Sequence, residues 1–332
     1  YAHLDELGRY RVKLDFDREG TEQGYGYLWL RQAKPFSGET SGWHTPLIDG
    51  TEVAITWSNG DIDLPYIAHA LHDSEHPDHV NRDNHTRNIL RTPANNKLRM
   101  EDRRGEEHIK LATEYGKTQL NTGHLVDAQL QLRGTGAELR TDEWGTIRAG
   151  KGLFVSADAQ AKAQGEMLDM DAALQAIDQL NQQLRQLEMA AEQAQVLKAD
   201  IDSQMQMFGQ RLKPLNEAVL FAAREGMALT SGEDMQLSAV QNVAINAGGD
   251  ITAGVMGNMT VLVGETLGLF ARTGQLSLKS GEGPVDMQAQ NGNLRLFAES
   301  KLSMTSVDDI LFAGKKRITL TGGGSYLTLE AG

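Results

Sequence analysis

Residues 235–266 read MQLSAVQN VAINAGGD ITAGVMGN MTVLVGET, four blocks of eight with apolar residues at positions one and three. The pairing runs on in steps of eight or nine: Met235/Leu237, Val243/Ile245, Ile251/Ala253, Met259/Val261, Leu267/Leu269 and Leu276/Leu278 come first. Val285/Met287, Leu294/Leu296, Leu302/Met304, Ile310/Phe312, Ile318/Leu320 and Leu327/Leu329 follow. An i, i+2 pair places two side chains on one face of an extended strand. Gly, Asn, Asp or Ser in the gaps supplies a corner. Two modest apolar side chains per rung do not close a core within one chain. Three chains wound about one axis do, each giving one side of every triangular layer and leaving no long free edge. The repeat therefore implies a homotrimeric β-prism over 226–332. Each octad adds roughly 4.8 Å along the axis. All these pairs are expected in the trimer core.

Upstream the pattern changes period. Between Gly165 and Gly209 there is neither Gly nor Pro. Apolar positions from Met167 through Leu174, Ile177, Leu184, Ile201 and Leu212 to Leu215 recur about every 3.4 residues, near the 3.5 of a coiled-coil stripe. This predicts an α-helical, coiled-coil-like insertion over 159–213. The spacing leaves open one rod or a hairpin turning near 200–203.

Residues 97–158 read as a first β-helix or strand block, with Leu98/Met100, Ile109/Leu111, Leu130/Leu132, Leu139, Ile147 and Leu153/Val155 as its apolar positions. Residues 73–96 are polar and read as a linker. Residues 1–72 carry short strands: Val12, Leu14 and Phe16 alternate with Lys13, Asp15 and Asp17, and further runs lie at 27–31, 53–57 and 64–70. Asn59 and Gly60 form a hairpin signal, because both turn residues tolerate positive φ. About five short strands predict an OB-type barrel. The fold class is mainly β: a barrel, then a trimeric intertwined β-helix interrupted by helices.

Composition narrows the function. Asp and Glu number 45 against 32 Lys and Arg, a net charge of −13, which argues against a nucleic-acid partner. Acidic residues also outnumber basic ones in 1–72, so the barrel reads as structural. Cysteine is absent, consistent with a reducing compartment and excluding thiolate metal clusters. No signal peptide is visible, and no apolar run approaches the ~18 residues of a membrane span. Position 1 is Tyr, so the chain reads as a fragment.

Several stretches carry a family resemblance: residues 5–12 (DELGRYRV), 42–53 (GWHTPLIDGTEV), 59–67 (NGDIDLPYI), 96–107 (NKLRMEDRRGEE) and 316–325 (KRITLTGGGS). In this order, with barrel, helical insert and prism, the chain resembles VgrG, the spike family of bacterial type VI secretion, itself similar to the central spike of contractile-tailed phages. The resemblance implies a needle assembled in the bacterial cytoplasm and driven through a target envelope, touching its membrane transiently. It further implies an Hcp tube below, reached through an N-terminal base domain missing here, a PAAR-repeat protein at the tip, and effectors as cargo. The phage spike carries a lysozyme between barrel and prism; nothing here resembles one.

Catalytic, cofactor and metal sites are not expected. His69, His72, His76, His79 and His85 cluster in the linker, and residues 72–76 (HDSEH) match H-x-x-E-H, a zinc-protease pattern that needs both histidines on one helix face. Pro65 and Pro77 argue against that helix. Glu106/Glu107 and Asp308/Asp309 are adjacent residues whose side chains diverge in a strand, unlike a glycosidase pair. Gly134 and Gly136 lack the G-x-G-x-x-G context and read as a turn. The readings set against a spike are a polysaccharide-degrading β-helix enzyme, which needs converging charged groups in a groove, and a trimeric adhesin stalk, which needs a secretion signal or anchor.

Overall fold

The computed structural model describes residues 1–17 and 28–330. It is mainly β with few helices, and the chain divides into two compact units, Tyr1–Ile147 and Arg148–Gly332.

In the first unit, β1 (Tyr10–Val12) pairs antiparallel with β2 (Leu28–Leu30). β3 (Val53–Trp57) pairs antiparallel with β4 (Pro65–Ala70). Ile67 ties the two ladders together: its N–H donates to the Arg31 carbonyl and its own carbonyl accepts from Ala33, both at 2.8 Å. Tyr10, Val12, Leu30 and Ile67 form the core, and the Tyr10 hydroxyl accepts from the Leu47 amide at 3.1 Å. The alternation at Leu14 and Phe16 does not extend β1. The chain turns there through an Asp17 N–H to Leu14 carbonyl bond, leaving Phe16 exposed. Of the run 27–31, Tyr27 lies outside the described residues. Asn59 and Gly60 do take positive φ, 54° and 73°, inside a longer loop closed by Ser58 N–H on the Leu64 carbonyl.

A five-stranded antiparallel meander follows: β5 (Arg87–Arg91), β6 (Lys97–Glu101), β7 (His108–Ala112), β8 (Gln119–Val126) and β9 (Leu132–Arg140). Two expectations are corrected here. The segment 73–96 is not all linker, because Arg87–Arg91 pairs in register with Lys97–Glu101. Most of the block 97–158 is a meander rather than a β-helix, since tight connections join each strand to an antiparallel neighbour. Gly136 lies within β9 opposite Gly123 of β8 rather than in a turn. Gly123, at φ 90°, leaves no room for a Cβ against the Glu107 carbonyl. Leu130 sits in the β8–β9 turn and Ile147 in no strand.

In the second unit, β10 (Leu153–Ser156) pairs parallel with β11 (Val219–Ala222), Leu153 opposite Val219. Between them lie α1 (Asp171–Gln193) and α2 (Ile201–Met207), the latter continued by a π-helical turn over Phe208–Leu212. The open question of rod or hairpin resolves as two helices broken between them. Gln195 takes a φ of 54°, and Asp200 caps α2 by accepting from the Ser203 amide at 3.0 Å. Arg185 of α1 reaches Asp202 of α2 at 3.1 Å, as two antiparallel helices require. Ala191 and Ile201 are buried, and Met170, Leu215 and Leu220 close the base of the insertion against Phe154 and Leu174.

From 223 to 316 the chain is extended and bends once per octad, for instance at 248–249, 256–257 and 264–265, with no strand ladder of its own. A lone chain holds no partner for these backbone groups. Nor does the single chain bury the side chains expected in the trimer core. Leu237, Ile245, Val261, Leu269 and Leu296 are 56–72% exposed. Met235, Val243, Met259, Leu267, Leu276, Leu278, Leu294, Ile310 and Phe312 are 47–66% exposed. The reason is geometric: each corner carries the chain onward, so no rung folds back to face the pair before it.

The last two octads depart from the expected path altogether. β12 (Arg317–Gly322) and β13 (Ser325–Glu330) form an antiparallel hairpin, placing Ile318 opposite Leu329 and Leu320 opposite Leu327. Ile318 is half-buried there, while Leu320 stays exposed. Gly323 and Gly324, both at positive φ, make the two-residue turn that reverses the chain.

Candidate interaction surfaces

Among the described residues, two apolar surfaces stay exposed within their own compact units. The first is the octad ribbon. Its paired side chains keep partial cover, whereas apolar residues at the bends, Val240, Met256 and Val307, are 102–106% exposed. Partial cover of the pairs and full exposure of the corners separates an inner from an outer face at the spacing read from the sequence. The pairs Met235/Leu237, Val243/Ile245, Met259/Val261, Leu267/Leu269 and Leu294/Leu296 therefore lie on the partly covered face of the ribbon. The register also reaches further back than residue 226. Met227/Leu229 and Val219/Phe221 continue the step of eight, and β10 lies alongside the latter. The helical insertion conceals these pairs by separating them from Leu153/Val155.

The second surface has no signature along the sequence. Cross-strand registers align Leu90, Leu98, Leu111, Leu120 and Leu139 as one row across all five strands of the meander. Met100 and Ile109 pair beside that row. The five leucines are 37–71% exposed. Only the pairing register reveals the row, because its members are spread over about fifty residues of sequence.

The opposite face of the meander is polar. Glu101 is buried and accepts from the Thr86 hydroxyl, from Arg87 Nε at 2.9 Å and from the Arg103 amide at 3.2 Å. Burial opposes its charge, but these bonds outweigh it and bring the carboxyl down to about 2. Arg99 Nη2 lies 2.9 Å from His108 Nε2, and His108 Nδ1 lies 2.8 Å from the Glu106 carbonyl. That is the pattern of a neutral ring, Nδ1–H donating and Nε2 accepting. Burial lowers the imidazole's pKa, and the Arg99 charge adds to it.

The histidine-rich segment forms turns instead of a helix. Asp73 accepts from the Glu75 and His76 amides, and its oxygens lie 3.1 Å from His76 Nδ1. His79 faces Asp78 at 3.3 Å. Among the described residues no three His, Asp or Glu side chains converge as a metal site would need. Glu106 turns toward Arg103, and Glu107 accepts from the Gly105 amide, so the two diverge. No helix among the described residues is long and apolar enough to cross a membrane.

Known proteins share this arrangement. Residues 87–191 match the model of the putative type VI secretion system Rhs element Vgr. Residues 209–332 match DUF2345, described as an uncharacterized protein conserved in bacteria. The solved VgrG spike from the type 6 secretion system is 40% identical, with a TM-score of 0.71, over 74% of this chain and 94% of that one. This chain belongs to the VgrG family. A second VgrG structure, solved with the Tle1 effector bound, is also 40% identical with a TM-score of 0.71, over 74% of this chain and 76% of that one. The type VI secretion system spike protein VgrG2a of Pseudomonas aeruginosa is 28% identical over 92% of this chain and 39% of its own length. The chain thus spans about two fifths of that VgrG relative and about a third of VgrG2b.

Proposed function

We propose that this chain is the shaft of a homotrimeric type VI secretion spike, a mechanical part without catalytic residues. The observation that carries the reading is the octad ribbon, whose apolar pairs and extended backbone lack partners in their own chain. Two further copies would supply both, burying the pairs from Met235 to Phe312 in a triangular prism. At about 25 cal/mol per Å² of apolar surface removed from water, many such layers outweigh the cost of ordering three chains. The leucine row of the meander belongs to the same association, and residues 1–72 to an OB-type barrel.

In this reading the spike is assembled in the bacterial cytoplasm and injected, with Hcp meeting the base of the full-length protein, a PAAR-repeat protein at the tip and effectors as cargo. Family membership and the effector-bound VgrG relative support it. Light scattering on the purified chain tests it: about 109 kDa, three times 36.4 kDa, is expected, and a mass of one chain overturns it.

A further inference from the structure

The polar face of the meander sets like charges opposite one another. Arg91 lies directly across from Lys97, and Arg99 across from Lys110. Like charges in such positions destabilise a sheet, and here they persist in a chain with a net charge of −13. The neighbouring carboxylates are engaged elsewhere: Glu101 by Thr86 and Arg87, Glu138 by Arg133, and Glu114 by Lys117 and Asn95. Among the described residues, the Lys110 ammonium has neither an ion pair nor a hydrogen bond. The charges acting on it come from Arg99, Lys97, Arg140 and Arg133. Arg99 Nε is buried without a partner.

Both cations line a cavity of about 160 Å³ beneath the β8–β9 turn, together with His108 and Asn121. Asp127 stands in its wall, but its Oδ1 accepts from the Gln129 and Gln131 amides, which fixes the turn. A buried guanidinium N–H and an unpaired ammonium each cost free energy that an anion between them would recover. The volume is well below the ~300 Å³ at which drug-sized ligand sites begin, so the occupant is small.

We infer that this cavity binds a phosphate-class oxyanion, held between Arg99 and Lys110. The inference rests on the meander alone and stands whether or not the chain is trimeric.

Thermal unfolding of the full chain and of Lys110→Gln tests it, with inorganic phosphate titrated against sodium chloride at matched ionic strength. Without phosphate, Lys110→Gln should melt at or above the wild-type temperature, because it relieves a like-charge pair. With phosphate, the wild type should show a saturable rise whose midpoint moves up about tenfold or more in the variant, as loss of one charge-assisted contact implies. Co-sedimentation with phosphatidylcholine vesicles containing phosphatidic acid separates the sources. A response to free phosphate identifies a soluble anion. Lys110-dependent vesicle binding without that response identifies a lipid headgroup. Equal shifts from phosphate and chloride, or equal phosphate responses in wild type and variant with no Lys110-dependent vesicle binding, overturn the inference.

Discussion

The meander and the octad ribbon are both built from short strands with apolar residues two apart, yet they are completed differently. The meander finds its hydrogen-bond partners within about fifty residues and makes five adjacent strands. The ribbon makes none between 223 and 316. The difference lies in the connections. Tight turns return the meander beside its previous strand, whereas octad corners advance the chain to a new face. The same period-2 code thus yields a sheet stabilised in cis or, in the proposed spike, a surface completed by other copies.

The strongest way to break this contrast is Leu278→Asp. In a threefold core it places three carboxylates in one narrow apolar layer, at several kcal/mol each. Lys279→Asp, one residue on and facing outward in that register, should cost within about 0.5 kcal/mol. Trimer fraction and melting temperature compare the two. Equal, mild effects would show that the ribbon has no apolar interior.

Next in size is Gly152→Ala, immediately before β10. A Cβ there overlaps the Leu215 carbonyl oxygen and lies 2.8 Å from Leu215 Cγ. A loss of about 3 kcal/mol is expected in chemical denaturation, the upper range for overpacking. An unchanged midpoint would mean that β10 and the insertion's base do not meet.

Glu101→Gln probes the cis-stabilised side. The carboxyl's folded pKa of about 2 lies below its ordinary 4.5, so its stabilisation is complete above pH 4.5 and is lost as pH falls through 2. The gap between wild type and variant should be on the order of 3 kcal/mol at neutral pH. It should close across that window while the ribbon's association is unaffected. A gap independent of pH would remove the ionised carboxylate from the account.

The smallest effect belongs to Asp200→Ala, which removes the cap of α2. A slight drop in melting temperature with an unchanged trimer fraction is expected. Loss of the trimer instead would tie the helices to the ribbon's assembly.

Much of this is legible in the residues. The octad period survives because every rung has the same chemical task, and the helical insertion because Gly and Pro are absent for over forty residues. β8 and β5 are hard to read because Asn121, Thr122 and Gly123, like Arg87 and Asn88, give no apolar alternation. Their strand character comes from their neighbours. The leucine row and the opposed cations are invisible for a related reason: each exists only once pairing register is set. The C-terminal hairpin is readable in principle, since Gly323 and Gly324 are a turn signal, but the octad rhythm of Ile318/Leu320 and Leu327/Leu329 masks it.

The direct pairing of β10 with β11 has a mechanical consequence. Four residues of parallel ladder join the chain just before the helical insertion to the chain just after it. In the proposed spike, a thrust along the shaft would cross from the segment before the insertion to the segment after it through that ladder. The helices would then lie outside that direct link, touching the ribbon where Asn246 donates to Gln204 and where Gly268 approaches Leu197.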